Sequence, residues 1–256
     1  MNNTIILIPV YKSTLNETEI LSLTQCFKVL GKHRIVFVAP LGLDFHNYQK
    51  YINQQIEVEY FNASFFASIR GYNQLMLSEE FYSRFLRHTF MLIYQLDCYV
   101  FRDELEYWCS KGYDYIGAPW LDYSYYNLSK WSKLFFHFKR IFILKNKLDR
   151  MTLVNRVGNG GLSLRHIDKF YRCLKFEQPD TLKKFSESDD TTSLYNEDVY
   201  WSLIAKNIKK PNYKVACKFS IDSGVNIGLA INNGKLPFGC HGWNKKYEYW
   251  KKYICD

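Results

Sequence analysis

The sequence predicts an α/β fold with a mixed, mostly parallel sheet flanked by helices. Three observations carry this reading: compact apolar runs bounded by turn residues, helical apolar spacing between them, and a run near residue 90 that ends abruptly on a carboxylate. Thr4 to Val10 (TIILIPV) suits a strand buried on both faces. Thr14-Leu15-Asn16-Glu17 offers a capping box, and Ile20, Leu23, Phe27 and Leu30 follow at helical spacing. Arg34 to Ala39 reads as a second strand stopped by Pro40, Ile56 to Phe61 as a third, and Tyr72 to Arg87 as a helical pair. The next strand, Phe90 to Asp97 (FMLIYQLD), delivers one acid to its carboxyl end and is followed by Cys98-Tyr99-Val100-Phe101. Open α/β sheets bind ligands at the carboxyl ends of their strands, so Asp97 is expected at a functional edge.

From Leu121 to Val154 the alternation breaks into aromatic and basic residues, read as an insertion at about 121–154 in a single domain spanning 1–256. Gly158-Asn159-Gly160-Gly161 reads as a turn before a strand at Leu162 to Leu164, and Asn196-Glu197-Asp198-Val199 as the start of a helix. Glu187 to Ser193 (ESDDTTS) is expected to be a mobile polar loop. The last forty residues are expected to form short strands and turns.

Composition narrows the classes. At 256 residues a single core buries nearly three quarters of the unfolded chain's surface, so no covalent staple is needed to hold the fold. The seven cysteines (26, 98, 109, 173, 217, 240 and 255) contain no Cys-x-x-Cys pair, which argues against a disulfide framework and a zinc cage and for a reducing, cytoplasmic setting. The N-terminus lacks a basic region ahead of its apolar run, so no signal peptide is expected, and no stretch reaches the roughly 18 apolar residues of a membrane span. A Gly-x-Gly-x-x-Gly after the first strand and a Walker loop are both missing, which weakens dinucleotide oxidoreductase and phosphate-loop NTPase readings. Net charge is +9, and residues 130–150 hold seven basic residues against one acid. So local a surplus fits a local anionic partner, or a membrane patch on the cytoplasmic face, better than a nucleic-acid groove running over the whole surface. Phe135, Phe136, Phe138, Ile141, Phe142 and Leu144 add the apolar mass of an interfacial helix, and a cover packed over an acceptor site is the alternative.

The candidate chemical groups follow. Asp97 is a candidate ligand for a divalent cation that neutralises a leaving diphosphate, the bland alternative being a turn cap or a pair with Arg102. His241, flanked by Gly239 and Gly242 with one residue between it and the first, is a candidate second ligand; a carboxylate and imidazole set favours Mn2+ over Mg2+. Glu197 and Asp198 stabilise a helix start on the bland reading. On the functional one Asp198 is the general base, with Glu197 structural or bonded to the acceptor, since adjacent helical side chains diverge by about 100°. Side-chain-free backbone at Gly160 and Gly161, with the Asn159 amide, suits a donor sugar and diphosphate lying against the chain. Trp120 and Trp243 are candidates for stacking on acceptor sugar faces, with core packing as the alternative.

Taken together, the elements IPVYK, IYQLDCYVF, YDYIGAPW, GNGGLSLR, NEDVYW and PFGCHGW resemble a bacterial family of GT-A-type glycosyltransferases catalogued as a domain of unknown function. More distantly, the order Asp97, Gly160-Gly161, Glu197-Asp198-Val199, His241 is similar to inverting β-1,3-glycosyltransferases of the fringe and galactosyltransferase type. The resemblance implies a GT-A-like, Rossmann-like domain that moves a hexosyl or N-acetylhexosaminyl group from a UDP-sugar. The implied acceptor is a saccharide or lipid-linked saccharide in bacterial surface polysaccharide synthesis, such as capsule or lipopolysaccharide. It implies Mn2+ at the last acid of an Asp-x-Asp motif, but Gln95 stands where the first acid would be. Pro9, Val10 and Tyr11 are then expected to hold the nucleotide base, with Gln95, Arg70 and Asn73 near the diphosphate or donor sugar. Two other classes stay open: a catalytically inactive sugar-nucleotide-binding module, and a basic nucleic-acid-binding protein suggested by the charge and the 18% aromatic content.

Overall fold

Among the residues described by the computed structural model, 3–143, 148–188 and 193–254, nine strands form two sheets. The larger sheet contains β1 (Thr4–Pro9), β2 (Arg34–Pro40), β3 (Val58–Phe61), β4 (Phe90–Tyr94), β6 (Tyr115–Pro119) and β7 (Val157–His166), in the order β3-β2-β1-β4-β7-β6. The smaller contains β5 (Cys98–Val100), β8 (Ser220–Ile221) and β9 (Gly239–His241), in the order β5-β9-β8. β1 pairs in parallel with both β2 and β4, and β2 with β3; β7 runs antiparallel to its two neighbours. The architecture is the mostly parallel α/β sheet that the apolar runs predict.

Burial of both sheet faces explains those runs. In β1, Ile6 and Ile8 pack into one apolar core and Ile5 and Leu7 into another, because successive side chains point to opposite faces. β4 divides likewise, with Leu92 and Tyr94 on the first side and Met91 and Ile93 on the second. The helix Glu17–Leu30 covers the first face through Leu23, Cys26 and Leu30. Helices Ile69–Met76, Glu79–Ser83 and Ile167–Lys175 cover the second. The chain lays β1, β2 and β3 outward in one direction and then crosses back to place β4 on the other side of β1. That reversal opens a crevice between the carboxyl ends of β1 and β4, where Pro9–Tyr11 and Gln95–Asp97 emerge.

Four local expectations need correction. The capping box begins at Asn16: its side chain accepts from the Glu19 N–H, and the Glu19 carboxylate accepts from the Asn16 N–H at 2.9 Å. Thr14 and Asn16 both have Glu three residues on, but the helix begins at Glu17, so Asn16 occupies the N-cap and Glu19 the position that closes the box. Gly158–Gly161 is not a turn; it lies inside β7, alongside β6 and past the end of β4, with a register irregularity at Ala118 opposite Asn159. The last forty residues are more helical than expected: helices Val225–Ile231 and Tyr247–Trp250 accompany the short β8 and β9. The strand before Asp97 stops at Tyr94, and Gln95 to Asp97 form its exit.

The 121–154 segment forms helices Tyr123–Tyr126, Lys130–Phe138 and Arg150–Leu153, the second running into a π-helical turn at Lys139–Ile143. Leu144, Lys145 and Lys147, most of the expected loop at 187–193, and Cys255 lie outside the described residues. Cys26, Cys98, Cys109, Cys173, Cys217 and Cys240 are free thiols. Among the described residues no helix is long and apolar enough to cross a membrane.

Candidate functional site

The crevice at the carboxyl ends of β1 and β4 widens into a cavity of about 1180 Å³, somewhat above the roughly 300–1,000 Å³ usual for small-ligand sites. Its floor is the glycine-rich stretch of β7, and its walls carry two groups of charged side chains.

The small sheet builds the first group. β5 pairs antiparallel with β9, Cys98 opposite His241, and β8 pairs in parallel with β9, Ile221 opposite Cys240. Asp97 immediately precedes β5 and Asp222 immediately follows β8, so the register delivers both acids to His241. Alternation along β9 buries Cys240 in an apolar cluster and turns His241 to the cavity. His241 Nε2 lies 3.1 Å from Asp97 Oδ1 and 3.3 Å from Gln95 Oε1, while Nδ1 lies 3.4 Å from Asp222 Oδ1. Asp222 is held from behind, its Oδ2 accepting from Asn159 Nδ2 at 3.1 Å. Burial opposes charge on His241, but the nearby Asp222 and Asp97 carboxylates outweigh it and push its pKa up to about 10. Burial likewise raises the Asp97 carboxyl, yet the His241 contact holds it below its ordinary value.

Two buried atoms here are short of partners. Asp97 Oδ1 and His241 Nδ1 both lack an aligned hydrogen bond, a cost that persists in native sites when another ligand completes the set. Asp97, Cys98 and His241 lie close enough to share a metal ion. The Cys98 thiol faces the other way, donating to the Gly161 carbonyl at 3.2 Å, and burial pushes it well above the usual thiol range. The donor set that fits a cation is therefore the Asp97 carboxylate with the imidazole of His241.

The second group sits on the other side of β7. Arg165 is completely buried; it donates to Glu197 Oε1 at 2.8 Å, to the Tyr82 hydroxyl at 2.8 Å and to Ser163 Oγ at 3.1 Å. A charge so deeply buried persists only when paired and hydrogen-bonded, and Glu197 supplies the pair. Asn73 fixes the turn that carries it, accepting from the Glu197 N–H at 3.0 Å and donating to Asn196 Oδ1 at 3.3 Å. Asp198 follows with its carboxylate at the cavity, accepting from the Val199 N–H at 2.8 Å. Burial and the adjacent Glu197 charge push its pKa up to about 7.

Gly160 and Gly161 lie between the two groups. A Cβ on Gly160 would come within 2.3 Å of Glu197 Oε1, and one on Gly161 within 2.2 Å of His241 Nε2. Consecutive strand residues face opposite ways, so this pair admits the acids on one side and the imidazole on the other.

Of the other sequence-predicted residues, Pro9, Val10, Tyr11, Asn73, Gln95, Asn159 and Trp120 line the cavity, Trp120 with its ring against Gly158. Trp243 does not: it is 1% exposed and packs with Tyr99 in the apolar cluster behind the small sheet, because its flanking turn directs it inward. Arg70 is exposed and outside the cavity lining, although its i, i+3 spacing from Asn73 puts it near the same helix face. Asp222 and Arg165 were missed. Nothing local distinguishes Asp222, whereas an arginine in the apolar run GLSLR was a readable sign of a buried charge needing an acid.

Solved structures share this fold at low sequence identity. The galactosyltransferase LgtC, in complex with donor and acceptor sugar analogues, aligns over 98% of this chain and 100% of its own with a TM-score of 0.55 and 14% identity. Mouse xyloside xylosyltransferase 1 in its apo form aligns over 93% and 96%, with a TM-score of 0.53 and 10% identity. The bifunctional glycosyltransferase WbbM aligns over 94% of this chain and 45% of its own, with a TM-score of 0.53 and 10% identity. The fold is thus the GT-A-like arrangement of glycosyltransferases. No curated protein sequence matches the chain. A family model does match, over residues 55–241 and so across both charged groups, and the chain belongs to that family, DUF5672, described as a protein of unknown function.

Proposed function

We propose that the protein is a single-domain, metal-dependent, inverting glycosyltransferase that moves a sugar from a nucleotide donor, most simply a UDP-sugar, to a saccharide or lipid-linked saccharide. The observation that carries this reading is the Gly160-Gly161 pair, with Asp97 and His241 against one side and Asp198 against the other. Asp97 and His241 would hold a divalent ion, with Mn2+ favoured over Mg2+ by the mixed oxygen and nitrogen donors. Bound there, it would neutralise charge on the leaving diphosphate.

The chain's own residues account for the remainder. Pro9–Tyr11 form the wall at the exit of β1 for the nucleoside, and side-chain-free Gly160 and Gly161 leave space for the donor sugar. Asp222 lies on the opposite ring nitrogen of His241 from Asp97, the position from which a carboxylate fixes the tautomer and orientation of a metal-binding histidine. Asp198 takes the acceptor hydroxyl proton, and a pKa near 7 suits a base working near neutrality. Glu197 neutralises Arg165 and holds the turn that presents Asp198. Trp120 offers an aromatic face to the acceptor at the rim.

Isothermal titration of UDP with and without Mn2+ tests the donor site: Asp97→Ala is expected to lose the Mn2+ enhancement, and unchanged enhancement would remove the metal assignment. Donor hydrolysis or transfer separates an enzyme from an inactive sugar-nucleotide-binding module. A steep fall of nucleic-acid affinity with salt, with no nucleotide binding, would favour the basic binding protein instead.

A further inference from the structure

The helix Lys130–Phe138 and the π-turn after it carry their apolar stripe outward. Trp131, Leu134, Phe135 and Phe138 recur at the i, i+3, i+4, i+7 spacing of one helical face, and all four are exposed, Trp131 by 81% and Phe135 by 63%. Ile141 and Phe142 extend the stripe through the π-turn, and the Phe138 and Phe142 ring centroids lie 4.6 Å apart. Core helices of a water-exposed domain turn this stripe inward. Here the protein-facing side is secured by other means: Phe136 is buried against Tyr125, Lys133 donates to the Tyr126 carbonyl at 2.9 Å, and Arg140 donates to the Val154 carbonyl at 3.0 Å.

Charge identifies what the stripe faces. Residues 130–143 contain no acid; with Lys133 and Arg140 bonded to the protein-facing side, Lys139 and Lys130 remain, Lys130 exposed beside the stripe. An outward aromatic face flanked by basic side chains is the pattern of a helix lying in a lipid interface with anionic headgroups. Its position matters as well: Asp122, Arg150, Leu153 and Val154, from either end of the same 121–154 segment, line the cavity.

We infer that residues 130–142 dock the protein on an anionic lipid surface, so that the cavity rim sits where a lipid-linked acceptor's head group emerges. The docking stands on the exposed stripe and its charge alone; only the acceptor class rests on the glycosyltransferase reading. Each basic residue near an anionic surface strengthens partitioning by about 5-fold, and each large ring inserted adds about tenfold or more.

Co-sedimentation of the full chain with vesicles of phosphatidylcholine, with and without roughly 30% phosphatidylglycerol to supply anionic headgroups, tests this at low salt. Wild type is expected to bind the anionic vesicles preferentially. Trp131→Ser/Phe135→Ser/Phe138→Ser is expected to lower binding by at least about 1,000-fold, and Lys130→Ser/Lys139→Ser by about 25-fold toward anionic vesicles only. Lys130, Trp131, Phe135 and Phe138 are exposed and Lys139 is half-buried at the start of the π-turn, and an unchanged melting temperature with intact UDP binding shows that loss of vesicle binding is not loss of the fold or donor site. Equal binding by the triple variant, or no anionic preference in wild type, overturns the inference. So does a wild-type dimer that becomes a monomer in the triple variant without any vesicle binding, because the stripe then covers a second copy. Failed UDP binding with intact vesicle binding would sink the enzymatic reading and leave the docking surface standing.

Discussion

Adding one methyl group at Gly161 is expected to uncouple nucleotide binding from Mn2+ while leaving the protein folded. A Cβ there would stand 2.2 Å from His241 Nε2, 2.3 Å from its Cδ2 and 2.8 Å from Gln95 Oε1, where ordinary contact begins at 3.4 Å. The backbone at Gly161 does not lie in the left-handed region, so alanine adds bulk without backbone strain. β9 is pinned between β5 and β8, so the imidazole must swing rather than its strand. A displacement on the order of 1 Å is several times the roughly 0.2 Å tolerance of a metal–ligand bond. Loss of a well-placed ligand should therefore weaken the metal-dependent affinity by at least the roughly 100-fold upper range seen for supporting residues. In thermal unfolding, UDP with Mn2+ at about 100 times its wild-type dissociation constant stabilises the protein by about 2.7 kcal/mol; a 100-fold loss leaves about 0.4 kcal/mol. Overpacking costs about 1–3 kcal/mol of ligand-free stability. If Gly161→Ala keeps the full Mn2+ increment at wild-type concentrations, His241 is not a ligand and the metal site lies elsewhere.

The neighbouring change works as its counterpart. Gly160→Ala drives a Cβ to 2.3 Å from Glu197 Oε1 and 3.1 Å from Arg165 Nη2, so denaturant unfolding should show a loss of about 1–3 kcal/mol while the Mn2+ increment survives. Glu197→Gln leaves Arg165 buried without its charge partner and should cost about 3–5 kcal/mol in the same assay; wild-type stability would discount the pair. Asp198→Asn should cut kcat by roughly 100- to 10,000-fold with donor affinity unchanged in titration. In the wild type kcat should rise with pH through about 7 as the Asp198 carboxyl ionises. Because that folded-state value is raised, the native protein keeps a proton that the unfolded chain releases near pH 4, so stability falls between about pH 4 and 7. Asp198→Asn should flatten that fall, and a variant less stable than wild type at pH 8 would mark a structural role instead. Asp222→Asn should lower Mn2+ affinity by roughly 10- to 100-fold in a direct metal titration and leave metal-free UDP binding unaltered.

The apolar runs at Thr4–Val10 and Phe90–Tyr94, alternating with helical spacing, determined the sheet and most of its helices, because burial on both faces demands nearly unbroken apolar strands. Asp97, Gly160, Gly161, Glu197, Asp198 and His241 were legible as candidates because acids and glycines at element ends are local features. Tertiary structure alone decided the rest. The small sheet brings Asp97, Asp222 and His241 together across 144 residues through strands too short to announce themselves, and nothing in the chain around Asp222 records its neighbour. Trp243 looked as free as Trp120 from its glycine neighbour, yet the turn after β9 buries it and leaves Trp120 at the rim. The two adjacent acids differ only because Arg165, buried on the facing strand, claims Glu197 and leaves Asp198 to the cavity. Periodicity encodes which face a residue takes, but pairing of a charge with its partner depends on long-range register, which only the folded chain supplies.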